Sequence, residues 1–137
     1  MKKLLFIFLA PFLLTSCLDE GSNYLKYTGW INVDSLSLAD SASVGDSVYV
    51  MVRGSAPNGC WSALELYMKK QNDSVYIING SGTFESEDGI CNQGLVIVDS
   101  SFLFKPVKEG KILFYGQSPD RLPLVDSLIV TQAEIGE

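Results

Sequence analysis

The chain of 137 residues contains no histidine. That absence removes the commonest general base of enzyme sites and the commonest catalytic metal ligand together. Cysteine is scarce, with only Cys17, Cys60 and Cys91, so a tetrahedral zinc site built on two thiols would have to borrow two carboxylates. Positive charge is sparse as well: ten Lys and Arg stand against sixteen Asp and Glu, for a net charge of −6. An acidic chain without a basic patch is not drawn to nucleic acid or to anionic lipid. The serines form neither a G-x-S-x-G elbow nor an S-x-x-K pair. Gly80-Ser81-Gly82 is too short, and too closely flanked by β-type sequence, to cradle a phosphate ahead of a helix. These absences point away from an enzyme, and no cofactor is expected.

What is present begins with an address. Met1-Lys2-Lys3 is a short cationic start, and Leu4 to Leu14 (LLFIFLAPFLL) is an eleven-residue apolar run. As a helix it would rise about 16 Å, roughly half the hydrocarbon core of a bilayer, which is too short for a stable span. A positive start, a short apolar run and small residues after it make the layout of a secretory signal peptide. At its end, Leu14-Thr15-Ser16-Cys17 resembles the lipobox of bacterial lipoproteins. The resemblance implies lipid joined to the Cys17 thiol and cleavage before it, with 1–16 removed and 17–27 left as a lipidated tether. An ordinary signal peptide with a chance cysteine is the competing reading.

Removing residues 1–16 takes away Lys2 and Lys3 and leaves 121 residues with eight cations, sixteen acids and a charge of −8. That length suits one domain, expected over residues 28–137. Attachment to the bilayer would rest on the acylated Cys17 alone. Each buried CH₂ contributes about 0.8 kcal/mol, so the several acyl chains that the resemblance implies would hold stably where one would not. The expected location is the outer membrane, on its periplasmic or cell-surface face. Leu18-Asp19-Glu20 is a short version of the acidic cluster that surface lipoproteins of Bacteroidetes-type bacteria carry after the anchor.

With Cys17 assigned to lipid, Cys60 and Cys91 form an even pair in an oxidising compartment, where a disulfide is the default and a metal site the alternative. Closing a loop of about 31 residues would stabilise the fold by roughly 3–4 kcal/mol in the chain-entropy description.

The rest of the chain reads as short extended runs. WINVDSLSL alternates, with Ile31 and Val33 in one phase and Leu36 and Leu38 in the other. A phase change at Asp34-Ser35 predicts a bulge or a strand that switches sheets. ADSASVGD reads as a turn, and SVYVMVRG as a strand with Val48, Val50 and Val52 on one face and Tyr49, Met51 and Arg53 on the other. CWSALELYMKKQND alternates at Leu64, Leu66 and Met68, though several of its residues are good helix formers; its place among strands and turns favours strand. SVYIING and GTFE read as two pieces broken by a turn at NGSG, and GLVIVD, FLFKP, KILFYG and LVDSLIVTQ complete the series. The pattern predicts an all-β antiparallel sandwich of about seven to eight strands.

VGDSVYVMVRG and FLFKPVKEGKILFYG resemble an early strand and a late strand-turn-strand of immunoglobulin-like domains. With the lipobox and NGCW, the chain is similar to small immunoglobulin-like lipoproteins of Bacteroidetes-type bacteria. One departure is that Cys60 and Cys91 lie before a strand and in a mid-chain loop, so they are not the inter-sheet bridge of antibody domains. Trp61, next to Cys60, is then expected to cap a loop.

Candidate site residues are few. Glu85, Glu87 and Asp88 in FESEDG could serve calcium or paired-carboxylate hydrolysis, although solvated loop charge is the simpler reading. Five Asp-Ser-aliphatic triplets centre on Ser35, Ser41, Ser47, Ser74 and Ser127. They resemble the acceptor pattern for O-linked glycosylation in Bacteroidetes-type bacteria, and they also suit turn-to-strand transitions. Tyr49, Met51, Tyr67, Tyr76 and Tyr115 are candidate contact residues or sheet-packing residues. The expectation is an anchored, non-enzymatic binding or structural module for a protein or glycan. A periplasmic inhibitor using Ala56 to Cys60, or an accessory subunit of an envelope complex, is the alternative, and a small hydrolase ranks behind both.

Overall fold

The computed structural model describes residue 21 and residues 23–132. Cys17 and the expected signal peptide therefore lie outside the described residues. Eight strands follow one another: β1 (Leu25–Ser37), β2 (Ser41–Ser43), β3 (Val48–Ala56), β4 (Trp61–Asn72), β5 (Val75–Ser86), β6 (Val96–Phe104), β7 (Gly110–Ser118) and β8 (Arg121–Thr131). There is no helix among the described residues. The strands join in the order β2-β8-β7-β5-β1-β3-β6, with β4 on the other edge of β5. The sheet curls strongly around one core that includes Val33, Val50, Ile78, Phe114 and Leu128.

β1 makes the curl possible because it belongs to both halves of the sheet. Leu25 to Ile31 pair with β5, whereas Asn32 to Ser37 pair with β3, and the register shifts between Val33 and Ser35. The phase change in the sequence marks this bulge: Ile31 and Val33 are buried before it, and Leu36 and Leu38 pack against the core after it. An extra residue in one strand bends it and raises its twist. Asp34, at the shift, is paired with Arg121 of β8. Along β3 the alternation holds, with Val48, Val50 and Val52 buried and Tyr49, Met51 and Arg53 outward. β4 is a strand, and its Leu64, Leu66 and Met68 face the core.

The structure corrects three sequence expectations. The sheet is mixed, since β5–β7 and β2–β8 pair in parallel. After β5 the chain crosses to lay β6 beside β3, and returns as β7 running in the direction of β5, which a hairpin could not do. NGSG is strand, not turn: Gly80 and Gly82 are core-facing positions with no room for a side chain. A Cβ on Gly80 would lie 2.5 Å from Ile31 Cγ1, and one on Gly82 2.4 Å from Leu64 Cδ2. In a strand interior, glycine often marks a close approach of this kind. ADSASVGD contains β2, whose three residues pair with Ile129 to Thr131, so only its end is a turn. β1 itself begins at Leu25.

Cys60 and Cys91 form a disulfide, with Cα atoms 5.3 Å apart. It ties the β3–β4 connection to the β5–β6 connection, both of which pass between the halves of the sheet. Beside it the Gly59 N–H donates to the Asn92 carbonyl at 2.7 Å. Trp61 does not cap a loop. It packs edge-on against Phe84 and Tyr27, which stack at 4.9 Å, and closes one end of the core.

Candidate functional site

One edge of β5 is shared by two neighbours. β7 takes Val75 to Ile78 and β1 takes Gly80 to Ser86, so Asn79 falls where the two part. A cleft of about 310 Å³ opens at this split, lined by Trp30, Asn79, Gln117, Ser118 and Pro119 among others. Its floor is held by a hydroxyl. Ser118 Oγ accepts the Val33 N–H at 3.0 Å and donates to the Val33 carbonyl at 3.2 Å, supplying both bonds that a neighbouring strand would otherwise make.

The register places an aromatic pair over this split. Trp30 lies opposite Ser81, Glu65 lies opposite Ser81, and Tyr67 lies opposite Asn79. Because side chains alternate along strands, all five share the outer face of the sheet. Trp30 is 60% exposed and Tyr67 36%, with ring centroids 6.3 Å apart and planes tilted by 44°. A second cleft of about 220 Å³ lies on the other side of Asn79, between Lys69, Ile77 and Gln117. Asn79 and Gln117 thus line both hollows and offer side-chain amides, each able to donate and accept.

Charges on this face are balanced. Lys26 and Glu85 pair at 3.0 Å at one end, and Glu65 and Lys69 both stand exposed on β4. Tyr24 donates its hydroxyl to Glu85 at 2.6 Å. That bond, and then Lys26, hold the Glu85 carboxyl below the usual range, while the same carboxylate pushes the Tyr24 and Lys26 values up. On the opposite half, Arg53 binds Asp99 through two hydrogen bonds of 2.7 and 3.1 Å and lowers its value. A hollow of about 520 Å³ lies over that pair beside Met51.

The sequence candidates scatter over this fold. Glu85 is engaged by Lys26 and Tyr24, Asp88 accepts the Asn23 N–H at 2.9 Å, and Glu87 is exposed. Among the described residues no three acidic, cysteine or histidine side chains gather as a metal site would require. Ser35, Ser41, Ser47 and Ser74 are exposed, and Ser127 is half-buried in β8. Of the five proposed contact residues, Tyr49, Met51 and Tyr67 are exposed and Tyr115 is half-buried. Tyr76 is a packing residue, stacked on Phe114 and edge-on to Phe104. The 56–60 loop is pinned by the disulfide and by the Cys60 N–H donating to Asn58 Oδ1 at 3.1 Å.

Trp30, Asn79 and Gln117 were absent from the sequence candidates. Trp30 was within reach, since it sits out of phase with Ile31 and Val33 and so must point outward. Asn79 and Gln117 were not, because only the division of β5 between two partners brings them together. Compared with known proteins, the chain matches no family model, no curated protein and no solved structure.

Proposed function

We propose that the chain is an envelope lipoprotein, held to the outer membrane through acylated Cys17, whose immunoglobulin-like β-sandwich is a non-enzymatic binding module for a protein or glycan. The observation that carries the reading is the outer face of β1, β5 and β4, where Trp30 and Tyr67 stand exposed and Trp30 lines the first of two hollows that share the Asn79 and Gln117 amides. An exposed tryptophan on a sheet gains nothing from burial and suits a contact surface. The unconverged carboxylates and the missing histidine favour binding over catalysis. Sites such as Ser74, in an exposed turn, are open to O-linked sugar without disturbing this face.

Two measurements test the reading. Metabolic labelling with palmitate should mark the protein and fail to mark Cys17→Ser; equal labelling of both removes the anchor. A photo-crosslinking residue placed at position 67 in the native host should yield a discrete adduct that the same residue at position 47 does not. Identical patterns at both positions would dispose of the face as a binding surface.

A further inference from the structure

We infer that the ligand of this face is an uncharged oligosaccharide, with one sugar ring laid against Trp30 and Tyr67 and its hydroxyls bonded to Asn79 and Gln117. The inference rests on the binding reading above and names the chemistry that would occupy it.

The two parts of the face have complementary properties. A sugar ring has a C–H face that packs on an aromatic π-face and an equatorial rim of hydroxyls that each donate and accept. Trp30 and Tyr67 supply the π-faces, tilted by 44° at 6.3 Å, so they form an open corner and not a closed stack. Within the adjoining cleft, Asn79 and Gln117 supply the paired donors and acceptors that match vicinal hydroxyls. In the register Ser81 is paired with Trp30 and Asn79 with Tyr67. The cleft of about 310 Å³ is at the small end of ligand sites, and the second hollow of about 220 Å³ continues the same strip past Asn79. This is an elongated track for a chain of rings.

Charge narrows the class. The chain carries −6 overall, which repels polyanions, and of the lysines at the strip Lys26 is engaged by Glu85 and Lys70 by Asp73, while Lys69, beside the second hollow, has no ion-pair partner among the described residues. A single lysine does not hold a string of sulfates, phosphates or uronates against that net charge. A ligand without charge therefore loses least on docking.

The test uses the full-length lipidated protein in a zwitterionic detergent, because glucoside detergents would compete. The probes are neutral hexasaccharides of glucose, mannose, xylose and N-acetylglucosamine, read by tryptophan fluorescence and calorimetry. At least one should bind saturably and with little change between low and physiological salt. Affinity should fall about tenfold in Trp30→Ala, as expected for removal of a stacked ring, recover in part in Trp30→Tyr, and fall again in Asn79→Ala. All variants should keep the wild-type thermal midpoint, since Trp30 is exposed and the half-buried Asn79 side chain makes no hydrogen bond within the described residues. The inference is overturned if none of the hexasaccharides binds, if binding survives both alanine variants, or if it weakens steeply with salt. A protein adduct at position 67 together with no sugar binding would overturn the sugar and leave the binding module standing. Failure of both would remove the module too.

Discussion

Replacing Gly80 with alanine adds one methyl group at a point where the fold has no space for it. The added Cβ would lie 2.5 Å from Ile31 Cγ1, 2.9 Å from Leu66 Cδ2 and 3.0 Å from Ile31 Cδ1. Both neighbours are buried, Ile31 at 2% and Leu66 at 8% exposure, so neither can swing into solvent. Overpacking of this kind costs about 1–3 kcal/mol. Alanine recovers roughly 0.5–1 kcal/mol by narrowing the unfolded ensemble, and Gly80 is not among the glycines with positive φ, so the backbone adds no strain. The balance is a destabilisation of about 1–2 kcal/mol, read as a lower urea midpoint at unchanged slope. Pairing Gly80→Ala with Ile31→Ala isolates the clash. Alone, Ile31→Ala should cost about 2–5 kcal/mol, but the double variant should be less destabilised than the sum, with a coupling of about 1 kcal/mol or more. Gly94→Ala, which meets only Asn92 Oδ1 at 3.5 Å, is the control and should stay within about 0.5 kcal/mol. A neutral Gly80→Ala, or additivity in the double variant, would refute the claim that this glycine serves a close approach.

Four further outcomes follow from the structure. Replacing Cys60 and Cys91 together with serine should lower stability by roughly 3–4 kcal/mol, and reductant should reproduce the loss in the unmodified protein but not in the double variant. Phe114→Ala, which empties a fully buried site between Tyr76 and Phe104, should cost about 3–5 kcal/mol in the same unfolding assay. Ser118→Ala leaves the Val33 N–H and carbonyl without their partner, so stability should drop by about 1–3 kcal/mol and the Val33 amide should exchange faster with deuterium. Asp73, Glu85 and Asp99 have carboxyl values lowered by Lys70, Tyr24 and Arg53 first among their partners. Their contribution is complete above the unfolded carboxyl value near 4 and is lost as pH falls through the lower folded values. Urea midpoints measured downward from about pH 6 should fall less steeply in the Asp73→Asn, Glu85→Gln, Asp99→Asn triple variant than in the wild type.

Local patterning carried much of the fold. Alternation at Val48, Val50 and Val52 identified both the strand and its buried face, and the broken phase at Asp34-Ser35 located the bulge to the residue. Glycine was the ambiguous letter. Gly80 looks the same in a turn as against Ile31, and only the packing tells them apart. Parallel pairing was illegible for a different reason, because strand direction depends on where the chain crosses and not on any residue within β5 or β7. The candidate site shows the same division. The exposure of Trp30 follows from the strand it lies on, whereas the meeting of Asn79 with Gln117 exists only because β5 exchanges one neighbour for another at that point.

The double membership of β1 also determines how the domain would bear a load. A pull arriving from the N-terminal side enters at Leu25 and runs along a strand clamped by β5 over one stretch and by β3 over the next. A pull directed along β1 is therefore resisted by backbone bonds to one half of the sheet and then to the other. The Cys60–Cys91 link, between connections that join the same two halves, keeps them from being drawn apart once β1 begins to slip. Load applied to β1 is thereby shared between both halves of the sheet.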